Sequence, residues 1–82
     1  MNHTITKLPI YDLYQAAFCA YKGIEPTLGE TSGRVVFEFP PDERTYSALA
    51  EYQAGPRVPI LDYVSHLRRL RSLMLQARSS RS

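Results

Sequence analysis

Eighty-two residues with an apolar fraction of 44% describe one domain, because two would leave neither half a workable core. Six Tyr and three Phe supply bulky core material and argue against global disorder. The single cysteine, Cys19, rules out an internal disulfide, and no apolar run reaches membrane-spanning length. Net charge is +2, too small by itself to imply a partner, but it is unevenly spread. Residues 1–62 hold five basic and eight acidic side chains, net −3, whereas residues 63–82 hold five Arg and no acid, net +5.

In chain order, residues 3–8 are a candidate for a short strand. The first strong element is a helix from about Tyr11 to Lys22. Asp12 followed three residues later by Gln15 has the form of a capping box, and Gly23 is a natural stop. Between them Leu13, Tyr14, Ala16, Ala17, Phe18, Ala20 and Tyr21 leave almost no polar face. Such a helix belongs in the centre, touched on more than one side. Ala16, Ala17 and Ala20 offer a smooth surface for close approach, and Cys19 reads as a small buried hydrophobe.

A hairpin follows. Ile24 to Glu30 is a weak strand, confined to an edge or shortened by Pro26. Thr31-Ser32-Gly33 is turn material, and Arg34 to Phe39 is the best strand of the chain. Alternation puts Val35, Phe37 and Phe39 on the face toward the helices, with Val36 and Glu38 on the other.

Pro40-Pro41 ends the sheet, and Asp42 caps a second helix with Glu43 in its first turn. That helix runs through Tyr46, Leu49, Ala50 and Gln53 to the stop at Gly55-Pro56. Pro59 opens the last helix. Its apolar stripe is Ile60, Val64, Leu67, Leu70, Met74 and Ala77, joined by Tyr63. The expected fold is therefore α+β, in the order α-β-β-α-α: three helices on a small antiparallel hairpin. The domain spans 1–78, and residues 79–82 form a frayed tail.

The combination of Asp12-Leu13-Tyr14, Ala16-Ala17-Phe18, Gly23, Val35-Val36-Phe37-Glu38-Phe39, Tyr52, Gly55, Val58-Pro59, Tyr63 and Leu67-Arg68-Arg69-Leu70-Arg71-Ser72-Leu73 resembles a small bacterial and phage-associated domain family of unknown function. The likeness covers residues 12–75. It implies a fold of this kind and brings no catalytic residues with it.

Chemistry needs groups that converge. His3, Cys19 and His66 are the only good soft or imidazole ligands, and none is paired at a metal-binding spacing. Gly29-Glu30-Thr31-Ser32-Gly33 lacks the Gly-Lys-Ser/Thr ending of a phosphate loop and leads into a strand, so it reads as a hairpin turn. Asp62 and His66, four apart on a helix, read as a surface pair. Ser65 points about 100° away from its neighbour His66 and cannot complete a hydrolytic triad with them. Glu38 has no second carboxylate partner and reads as a strand residue facing solvent. No catalytic, cofactor or metal constellation emerges, and the sequence reads as non-enzymatic with no cofactor.

What remains is surface. On the last helix Arg68, Arg71 and Arg78 share one sector beside the apolar stripe, with Arg69 further round. Leu61 and Leu75 fall outside the core stripe and close to those arginines, an arrangement protein interfaces use. The bland alternatives are a solvated basic face, matched to the helix C-terminal dipole, and two singly exposed leucines. The expectation is an accessory module binding a protein partner, or a second copy of itself, through Leu61, Arg68, Arg69, Arg71, Leu75 and Arg78. The alternative is nucleic-acid binding through the Arg cluster. No element with Asn, Gln and Arg aimed at base edges supports sequence-specific readout. A cytoplasmic protein without a membrane partner is expected, since no basic start leads into a long apolar stretch.

Overall fold

Asp12 starts the first helix with one hydrogen bond: its Oδ1 accepts from the Tyr14 backbone N–H at 2.8 Å. In the computed structural model, which describes residues 7–79, this helix, α1, is Leu13–Tyr21. Its end is fixed as firmly. Gly23 takes φ +94°, its N–H donates to the Ala20 carbonyl and that of Ile24 to the Cys19 carbonyl. These are the paired bonds of a Schellman ending, and Ile24 turns inward to a buried position. Five consecutive residues, Ala16 to Ala20, are buried. At 100° per residue they sweep the full circumference of the helix, so α1 is the central rod, as its composition requires.

The sheet has three antiparallel strands: β1 (Leu8–Ile10), β2 (Thr27–Thr31) and β3 (Arg34–Phe39), in the order β1-β3-β2. A third strand therefore exists, but later than the 3–8 expectation, of which residues 3–6 lie outside the described residues. Its position follows from the partner: Leu8 pairs with Phe39 and Ile10 with Phe37, which brings Ile10 into the core. Pro9 is tolerated because β1 is an edge strand. β2 begins just after Pro26 instead of at Ile24. Ser32 and Gly33, at φ 53° and 79°, form the two-residue loop between Thr31 and Arg34. Left-handed conformations at both loop residues match the twist of the flanking strands.

Phe37 and Phe39 join the helix-side core as expected, but Val36 on the opposite face is fully buried too. Its cross-strand partner is Gly29, and the Glu38 side chain folds over that glycine. A Cβ on Gly29 would fall about 2.4 Å from the Glu38 carboxyl carbon. Glu38 is thus half-buried, not a plain solvent-facing residue, and it sits where it can shield Val36.

Helix α2 is Glu43–Gln53, with Asp42 Oδ1 accepting from the Thr45 N–H at 3.0 Å. It presents Thr45 and Ala48 to the interior, while Leu49 and Tyr52 pack on the core edge. Tyr46 and Ala50, expected in the same run, point outward. Helix α3, Ile60–Ser79, lies against α1 and β3. Leu70 is its fully buried residue, flanked by Tyr63, Leu67, Leu73 and Met74. The stripe starts one turn later than expected, because Ile60 is 65% exposed. Tyr63 makes the first anchor, its hydroxyl donating to the Tyr14 carbonyl at 3.0 Å. The fold is α+β, with three helices and a three-stranded sheet in a slab of 38 × 36 × 17 Å.

Candidate interaction surface on the last helix

A helix of 20 residues is about 30 Å long at ~1.5 Å per residue, nearly the full width of the slab. Its buried face centres on Leu70, which leaves more than half of its circumference on the outside. On that outer side Leu61 is 80% exposed and Leu75 46% exposed. Arg68, Arg71 and Arg78 are exposed as well.

These residues share a regularity. Leu61, Val64, Arg68, Arg71, Leu75 and Arg78 fall at alternating steps of three and four, the spacing of a coiled-coil seam. Val64, which the sequence assigned to the core stripe, is only half-buried and lies on the border between the two faces. The seam therefore has apolar positions at one end and at Leu75, with two guanidinium groups between them. Ile60 widens the apolar end.

Arg69 does not belong to this face. It reaches Glu25 at the start of the hairpin in a two-pronged ion pair, 2.5 Å and 3.0 Å, and contacts His66 Nδ1 at 3.1 Å. With Arg69 as donor, Nδ1 accepts and the ring proton sits on Nε2. The other side of the imidazole meets Tyr21 edge-on, with ring centroids 6.3 Å apart. The expected Asp62–His66 pair is replaced by this contact, which joins α3 to α1 and to the loop before β2. Spacing along one helix could not reveal it, since Glu25 is 44 residues away.

Two further clefts stand out among the described residues. One, of about 560 Å³, lies between the end of α1 and α2 and is widely open; Lys22 and Glu51 face each other across it at 3.1 Å, and Arg44 donates to the Gly23 carbonyl. Lys22 and Glu51 thus already neutralise each other there. The other, of about 270 Å³, is formed by Tyr11, the hairpin turn, Arg34 and the end of α3 with Arg78. Sequence reasoning missed Arg34 and Tyr11 as neighbours of Arg78, because only the three-dimensional fold brings these segments together.

Cys19 is fully buried, and burial pushes its thiol from 9.0 up to about 11. It is accordingly poor as a nucleophile. Among the described residues no three His, Cys, Asp or Glu side chains gather as a metal ion would require, and no helix is long and apolar enough to cross a membrane. No family model, curated protein or solved structure matches the chain.

Proposed function

We propose that this chain is a non-enzymatic accessory module that binds a protein partner along the outer face of α3. The observation that carries the reading is the seam-like spacing of Leu61, Val64, Arg68, Arg71 and Leu75 on the exposed side of the longest helix. Apolar positions at that spacing suit an incoming amphipathic helix.

The middle of the seam bears on the choice of partner. In a parallel pair of two copies Arg68 would face Arg68 and Arg71 would face Arg71. In an antiparallel pair Arg68 would face Arg71. Both arrangements press like charges together where desolvation is greatest, at a cost in specificity and affinity. A helix with Glu or Asp opposite Arg68 and Arg71, and apolar residues opposite Leu61, Val64 and Leu75, satisfies all five of these positions. Hetero-association with an acidic amphipathic segment is therefore favoured over self-association. The lone buried thiol of Cys19 supports a place in a reducing compartment, the cytoplasm.

The test is a titration of the full chain with a fluorescent helical peptide built to that pattern, followed by anisotropy, beside the variant Leu61→Asn/Leu75→Asn. Saturable binding that is lost in the variant and absent for a Lys-for-Glu control peptide is expected. Concentration-dependent dimerisation in sedimentation, abolished by the same variant, would replace the acidic partner with a second copy. Single-stranded or duplex DNA binding that survives the leucine substitutions and disappears on Arg68→Glu/Arg71→Glu would favour the nucleic-acid reading.

A further inference from the structure

We infer that the cleft between the hairpin turn and the end of α3 is a binding site for a small phosphate-class oxyanion, held between Arg34 and Arg78. This site shares Arg78 with the end of the seam on α3, but it does not depend on a protein binding there.

Two cations from distant parts of the chain line one depression of about 270 Å³, with Tyr11, Gly33, Val35 and Met74 as the rest of its wall. Among the described residues that line it there is no carboxylate. That composition is unusual for a structural feature, because like charges raise each other's energy when they share a concave, partly desolvated surface. An exposed guanidinium normally relaxes into solvent or onto an acid, as Arg69 does on Glu25. Arg34 instead lies over the Tyr11 ring, 5.3 Å from guanidinium carbon to ring centroid. Stacking on an aromatic face fixes the plane of the group without occupying its N–H fork.

Regular secondary structure supports the cleft on either side. Tyr11 is clamped between the end of β1 and the N-cap Asp12. Arg34 is the first residue of β3, immediately after a two-residue turn. Arg78 stands in the last turn of α3, and Met74, one turn earlier, is packed against the core. The Arg34 side of the cleft is therefore set before any ligand arrives, which lowers the entropic cost of binding. Guanidinium forks match the oxygen edges of a phosphate, and two forks suit a dianion better than a singly charged carboxylate. Val35 and Met74 supply an apolar floor, so the preferred ligand is a phosphate carried on a small apolar or aromatic body.

The experiment uses the full chain in amide-resolved NMR, titrated separately with phenyl phosphate, inorganic phosphate and phenol at low ionic strength. Saturable shifts confined to the Gly33–Arg34 turn, Tyr11 and the last turn of α3 are expected for the two phosphates. Tighter binding of phenyl phosphate identifies an ester as the ligand, and equal binding identifies the free ion. Loss of one guanidinium, in Arg34→Met or Arg78→Met, should weaken binding about tenfold, as removal of a charge-assisted hydrogen bond does. Arg34→Lys, which keeps the charge but not the fork, should weaken it too. Absence of saturable shifts with either phosphate overturns the proposal, as do equal binding of phenol and undiminished binding by Arg34→Met/Arg78→Met. The acidic-peptide titration leaves this outcome untouched, because Leu61→Asn/Leu75→Asn retains both arginines of the cleft.

Discussion

Arg69 on α3 grips Glu25 with both prongs of its guanidinium, 2.5 Å and 3.0 Å, across 44 residues of chain. Both side chains are about half exposed, so water and salt screen the pair, and its contribution to stability is small. Its consequence is chiefly geometric. It keeps Arg69 off the basic face of Arg68, Arg71 and Arg78 and ties α3 to the loop that enters β2. Glu25→Gln and Arg69→Gln should each lower stability by less than about 1 kcal/mol in urea unfolding, and the loss should shrink in high salt. The acidic peptide should bind Arg69→Gln as it binds the parent chain. A loss above about 2 kcal/mol would mean that this contact is part of the core scaffold.

The two faces of α3 should respond in opposite ways to truncation. Leu70 has no exposed surface, whereas Leu61 is 80% exposed. Leu70→Ala leaves a cavity among Phe18, Phe37, Phe39 and α1's alanines and should cost about 2–5 kcal/mol. Leu61→Ala and Leu75→Ala should stay within about 0.5 kcal/mol of the parent. Equilibrium unfolding of the three variants measures this directly. If Leu61→Ala were as damaging as Leu70→Ala, the helix would be rotated from the orientation described, and the seam would be part of the core.

Local punctuation carried most of the fold's legibility. Asp12, Gly23, Asp42 and Gly55 act through bonds to residues two to five positions away, so the same rules apply in the sequence and in the folded chain. The all-round apolar surface of α1 likewise has one reading, a buried centre. What the sequence withheld depends on distant partners. Ile60 fits the apolar stripe of α3 but lies beyond the first anchor at Tyr63. Tyr46 falls in the same run as Leu49, yet α2 leans on Thr45 and Ala48, because small residues allow closer approach to α1. Leu61 and Leu75 were visible as outliers from the stripe, and the structure leaves both exposed. Arg34 beside Arg78 was invisible, since a strand start and a helix end share no pattern.

Raising the pH should destabilise the fold in two overlapping stages. Burial lifts the Cys19 thiol from 9.0 to about 11. The folded chain then holds a proton that the unfolded chain releases between those values, and stability falls with pH across that window. Tyr52 is raised above its usual value of 10.0 by burial first and then by Asp12 and Tyr14. Tyr63 is raised by burial first and then by Tyr52, Asp12 and Tyr14. Both act with the same sign at still higher pH, and ionised Tyr63 also loses its donor to the Tyr14 carbonyl. Urea midpoints should be level from pH 7 to 8.5 and fall through pH 9 to 11. Cys19→Ala should remove the early part of that fall, whatever its constant offset in stability. An unchanged slope in that variant would show that the thiol does not titrate differently in the two states.

Thr45 carries the clearest local imperfection. It is fully buried, its N–H completes the cap on Asp42 at 3.0 Å, and its hydroxyl has no hydrogen-bond partner among the described residues. A buried hydroxyl without a partner costs about 1–3 kcal/mol relative to one that is satisfied. Valine has the same branched shape, keeps the backbone donor for Asp42 and removes the polar atom. Thr45→Val should therefore raise stability by roughly 1 kcal/mol, seen as a higher urea midpoint with unchanged slope. Thr45→Ala should fall below Thr45→Val by about 1 kcal/mol or more, since it also vacates space in a packed site. The comparison separates polarity from volume: a Thr45→Val variant weaker than the parent by more than about 1 kcal/mol would show that the hydroxyl is bonded in solution.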